Sequence, residues 1–119
     1  MSQQIATAAQ DWMSRNGHVS HDSVDCSHFL LAVLQASVAP HFRYLRADEY
    51  LASPSFSLTT SPIAGDFVHW PGHIAVVIDP AAGTFIGSQT STGVDIANYK
   101  TNTYWSGRTH RVFLHFNGP

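Results

Sequence analysis

Apolar residues recur at helical spacing over residues 5–13, at Ile5, Ala8, Ala9 and Trp12, and the run closes on Arg15-Asn16-Gly17. That pattern predicts a first helix ended by a glycine. A polar stretch, residues 18–24, leads into Asp25-Cys26-Ser27. It is followed by an apolar segment, residues 29–38, in which Phe29, Leu30, Val33 and Leu34 keep the helical period until Pro40 stops it. A second helix therefore begins at or beside the cysteine. Residues 46–51 suit a short helix, and the Ser-, Thr- and Pro-rich residues 53–61 read as a crossing loop.

From Gly65 onward the signals are those of strands. Residues 67–70 are followed by a Pro71-Gly72 turn and by residues 73–78, rich in β-branched side chains. Residues 79–83 turn the chain into a strand at 84–87, and residues 111–116 alternate around Val112, Leu114 and Phe116. Helices first and an antiparallel meander afterwards predict an α+β class, with N-terminal helices packed on an antiparallel β-sheet. At 119 residues, with no internal repeat or low-complexity tract, residues 1–119 are expected to form a single domain.

Charge narrows the range of functions. Only 12% of residues are charged and the formal net charge is -2, with the six Lys and Arg residues scattered, so nucleic-acid binding is not expected. No apolar stretch reaches membrane-spanning length and the N-terminus has no signal-peptide pattern, so no membrane role and synthesis in the cytoplasm are expected.

A lone cysteine is a buried thiol, a reactive thiol or a metal ligand. At a helix N-terminus the unpaired N–H groups and the dipole favour the thiolate. Asp25 is placed to cap such a helix, and the N–H of Cys26 to hold an oxyanion. His73, opening a strand after a Pro-Gly turn, is the expected base; a surface histidine and an inert buried cysteine are the bland alternatives. His18, His21, Cys26 and His28 match no standard zinc spacing, and His69 and His73 form no HExxH arrangement. His41, His110 and His115 read as surface or strand-edge residues. Trp70 and Trp105 read as core or cleft-wall aromatics, Trp105 also as a substrate contact.

Three segments in order carry a family resemblance. Asp25-Cys26-Ser27-His28-Phe29-Leu30 resembles the Asp-Cys-Ser-Gly-Phe-Val element around the nucleophile of the NlpC/p60 cell-wall cysteine peptidases. Residues 63–70, ending Gly65-Asp66-Phe67-Val68-His69-Trp70, are similar to that family's Pro-Gly-Asp-Leu-Val-Phe-Trp strand. Gly72-His73-Ile74-Ala75-Val76-Val77-Ile78 resembles its His-Val-Gly-Ile-Tyr segment. The resemblance covers residues 22–97 and implies a papain-like fold, no cofactor or metal, and hydrolysis of γ-D-glutamyl to diaminopimelate amides in peptidoglycan stem peptides. Cys26 would be the nucleophile and His73 the base. Asp25, Ser27, His28, Trp70, Ser88 and Trp105 are the expected substrate-side residues.

The chain departs from the family pattern at three places. His28 stands where the family has glycine, and the tyrosine usual upstream of the cysteine is missing. The third catalytic position falls near Gly87, which cannot orient a base; Gln89 is the expected replacement, with Ser88 or a backbone carbonyl as alternatives. A wall-degrading enzyme without an export signal suggests an interbacterial effector, or a phage or toxin module, delivered to a target periplasm or carried in a larger secreted protein, with an immunity partner. A protein deamidase or acyltransferase using the same pair, or a non-catalytic binding module on the same scaffold, stays open.

Overall fold

A computed structural model describes residues 1–118. Helix α1 spans Ser2–Asn16 and α2 Cys26–Gln35; a 3-10 turn covers Ala47–Leu51. Six strands follow: β1 Phe56–Thr59, β2 Phe67–Trp70, β3 His73–Asp79, β4 Thr84–Gln89, β5 Gly93–Asn98 and β6 Val112–Phe116, with the short helix α3, Thr103–Gly107, before the last. All pairings are antiparallel, in the order β1-β6-β2-β3-β4-β5. The α+β class is as expected from the sequence. The meander holds from β2 to β5, but the last strand inserts between β1 and β2.

One expectation needs correction, and two elements go beyond the sequence reading. The crossing loop contains β1; a strand follows β4 at 93–98, and a short helix, α3, holds Trp105.

Period-two alternation divides the sheet into two faces. On one, Phe67, Ile74, Val76, Ile86 and Leu114 pack with Phe29, Leu30, Val33 and Leu34 of α2 and with Ile5 and Ala9 of α1. The four α2 side chains are fully buried, worth about 2 kcal/mol each. They explain why a ten-residue helix lies fixed against the sheet, with its first residue over the start of β3. On the other face Val68, Trp70, Ala75, Val77, Phe85 and Tyr99 form a second cluster, against which Trp105 and Phe113 pack.

Candidate active site

Cys26 is the first residue of α2. Asp25 caps the helix in extended conformation, its Oδ1 accepting the His28 N–H at 2.9 Å. The same oxygen takes the His28 ring Nδ1–H at 2.8 Å and the Ser27 hydroxyl at 3.1 Å. Burial works to raise the Asp25 pKa, but these bonds outweigh it and hold the carboxyl below its ordinary value. Cap, apolar spacing and α2 packing together aim Cys26 at the Pro71-Gly72 turn, where its thiol lies 3.9 Å from the Gly72 carbonyl oxygen.

The helix end does not make a resting thiolate, contrary to the sequence expectation. Cys26 is 6% exposed, and burial pushes its thiol above the ordinary value. The N–H groups of Ile74, Ser27 and Cys26 pull the other way without prevailing, and the Asp25 charge adds to the rise. Those same N–H groups surround the place where charge would develop on a sulfur or on an attacked carbonyl.

His73 opens β3 and is 6% exposed, its ring stacked on Trp105 at 5.0 Å between centroids and tilted against Trp70 at 6.0 Å. Burial, followed by the positive charge of Arg108, lowers its pKa from 6.5 to about 4. The imidazole is therefore neutral at pH 7, the state a proton acceptor requires. Thiol and imidazole approach the start of β3 from its two sides, and no hydrogen bond joins them. Two grooves meet there: one lined by Cys26, Asp25, Ser27, Tyr44 and Asp48, the other by His73, Gln89, Tyr104, Trp105 and Arg108, with His21 and Gly72 common to both.

Gln89, the sequence-expected partner of His73, lies near its ring. It lies on β4, on the same face as His73, and the His73 Nε2 and Gln89 Oε1 are both buried with no hydrogen-bond partner. The Gln89 side chain favours the protonated ring, and its amide is anchored by a 3.3 Å bond from Nε2 to the Asp95 carbonyl. Gly87 supplies the space. A Cβ there would stand 2.6 Å from Gln89 Oε1 and 2.7 Å from the Ala75 Cβ. Gly87→Ala is expected to expel the carboxamide and, if Cys26 and His73 act as nucleophile and base, to lower turnover by about ten-fold through loss of His73 orientation. Unchanged turnover with a shifted Gln89 in the variant's structure would separate Gln89 from the site.

Other expected contacts are corrected. Trp70 is fully buried beneath Trp105 and Phe85, so it is core and not a substrate contact. Ser88 is fully buried on the helix face, its hydroxyl donating to the Val24 carbonyl, which ties down the loop before the cysteine. His28 is exposed, bonded to Asp25 and stacked on Tyr44 at 4.3 Å, outside the groove. His115 sits on an inner strand, its Nδ1 2.6 Å from Asp66. Ser27 is buried, with its hydroxyl 2.7 Å from the Tyr44 hydroxyl, and half-buried Trp105 lines the His73 groove.

Three residues at the site escaped the sequence reading. Tyr44, from the loop after α2, brings a hydroxyl to the thiol-side groove, and His21 borders both grooves; neither carries a local sequence signal. Asp48 Oδ1 accepts the Gly72 N–H at 2.8 Å and lies 2.9 Å from Nε2 of buried His69, pinning the turn between Cys26 and His73. The Gly72 N–H, then His69, hold the Asp48 carboxyl below its ordinary value. No protein-family model matches the chain, and no curated protein matches it in sequence.

Proposed function

We propose that the chain is a papain-like, NlpC/p60-type cysteine hydrolase that cleaves amide bonds in peptidoglycan stem peptides, at the γ-D-glutamyl to diaminopimelate link. The supporting observation is Cys26 at the start of α2, its thiol 3.9 Å from the carbonyl of Gly72, the residue before His73 at the start of β3, in the same order as the three family-like segments. Because the resting thiol is protonated and the imidazole neutral, attack and proton transfer go together. The thiol proton passes to His73 as sulfur adds to the carbonyl; the N–H groups of Cys26 and Ser27 take the oxyanion. His73 then gives that proton to the leaving amine, leaving a thioester. Water, losing a proton to His73, attacks the thioester, releasing the acid and restoring the thiol.

Incubation with defined muropeptides and mass analysis of the products tests this. Hydrolysis adds one water across the two products, whereas acyl transfer leaves the acyl half on another amine. Intact muropeptides after prolonged incubation with wild-type protein would refute the reading. The raised thiol pKa and the absence of a thiol–imidazole bond favour a second reading, a binding module on the same scaffold. In that case muropeptides bind and are recovered uncut.

A further inference from the structure

We propose that Arg108 is a specificity-determining residue that takes a carboxylate carried by the amine half of the substrate. The inference rests on the hydrolase reading and deepens it. Proton bookkeeping assigns the grooves: His73 must reach the leaving nitrogen, so the amine half occupies the groove on the His73 side, while the acyl half lies over the thiol. The His73-side groove, about 710 Å³, is large enough for an amino-acid-sized group.

The two grooves differ in charge. Asp25, Asp48 and Glu49 line the thiol side, against Arg46. In all three carboxylates the bonds to the protein use one oxygen and leave the other unbonded. No Asp or Glu lines the His73 side, where the fixed charge is Arg108. Among the described residues Arg108 has no carboxylate partner, and its one hydrogen bond, Nη2 to the Pro71 carbonyl at 2.7 Å, leaves most of the guanidinium donors unspent. It lies over Trp105 at 5.6 Å and Tyr104 at 6.0 Å, which hold its plane beside the groove. A half-buried guanidinium fixed by aromatic faces and a backbone carbonyl, beside His73 and in no ion pair among the described residues, is preorganised for a carboxylate.

The test uses an L-alanyl-γ-D-glutamyl-diaminopimelate peptide and the same peptide with its diaminopimelate carboxylates converted to carboxamides. Wild type is expected to favour the carboxylate form by about ten-fold or more in kcat/KM. Arg108→Gln should lose that preference by slowing only the carboxylate peptide, by about 10- to 100-fold, and Arg108→Lys should keep part of it. Equal kcat/KM for the two peptides in wild type, or an equal loss for both in Arg108→Gln, would overturn the assignment. A second arm does not need turnover: tryptophan-fluorescence titration of Cys26→Ala, with and without Arg108→Gln, using diaminopimelate and its diamide. Saturable binding of diaminopimelate alone, abolished by Arg108→Gln, supports Arg108 even if no peptide is cut, an outcome that refutes only the hydrolase reading. No binding and no turnover refute both.

Discussion

Cys26→Ala should lower muropeptide turnover by at least about a thousand-fold, and His73→Ala by a comparable factor, with little further loss when the two are combined, because they act as one unit. The fold should be retained in Cys26→Ala, checked by an unchanged circular-dichroism spectrum, since α2 is held by Phe29, Leu30, Val33 and Leu34 and not by the thiol. The structure adds a signature that separates this site from one with a preformed ion pair. Burial keeps the thiol above its ordinary pKa, so iodoacetamide alkylation of Cys26 should be slow at pH 7 and keep rising beyond the range where a free thiol has already titrated. A plateau below neutrality would mean a resting thiolate and would refute this account.

Acid should destabilise the fold through the same imidazole. The folded-state pKa of His73 is depressed from 6.5 to about 4, so between those values the unfolded chain binds a proton that the folded chain refuses. Stability is therefore complete above pH 6.5 and is lost as pH falls toward 4. A shift of this size corresponds to about 3 kcal/mol for a group so deeply buried. His69, also depressed by burial, contributes in the same direction. Asp25 and Asp48, held low by their bonds, add their losses only at more acid pH. Denaturant titrations at pH 7, 6, 5 and 4 check this. The slope should flatten in His73→Gln, and parallel curves for wild type and variant would show that His73 ionises as freely in the fold as outside it.

The sequence signals were strongest where burial is two-sided. Helix α2 and the inner strands β2, β3 and β4 were legible because Asp25, the helical spacing from Phe29 to Leu34 and the β-branched run after His73 all answer to packed neighbours. The two missed strands, β1 and β5, are the edges of the sheet. An edge is hydrogen-bonded on one side only and needs few apolar side chains: β1 buries Phe56 alone, and β5 buries Gly93 and Val94 while carrying Asp95 and Asn98. Helix α3 has no fully buried residue. Its one local signal was Asn102, whose Oδ1 accepts the N–H groups of Tyr104 and Trp105.

At the site, the motif positions of Cys26 and His73 were readable because they open regular elements. What surrounds them was not. Asp48, Tyr44 and Arg108 come from segments separated from the motifs in sequence, and only tertiary packing brings them to the grooves. Gly87 is the instructive case. Read alone it is an absence at the place where a polar side chain was expected, yet the emptied volume admits the carboxamide of Gln89 from two residues further along β4.

The place of β6 bears on how the chain assembles. This strand is made last but lies between β1 and β2, with Leu114 opposite both Leu58 and Phe67. A nascent chain emerging from the ribosome must wait with two facing backbone edges open until residues 112–116 arrive. Such long-range closure slows folding and leaves sticky strands uncovered meanwhile. Ribosome-bound chains lacking residues 112–116 should accordingly recruit chaperones, and emergence of β6, not synthesis of the segments around Cys26 and His73, should be the moment at which the domain becomes protease-resistant.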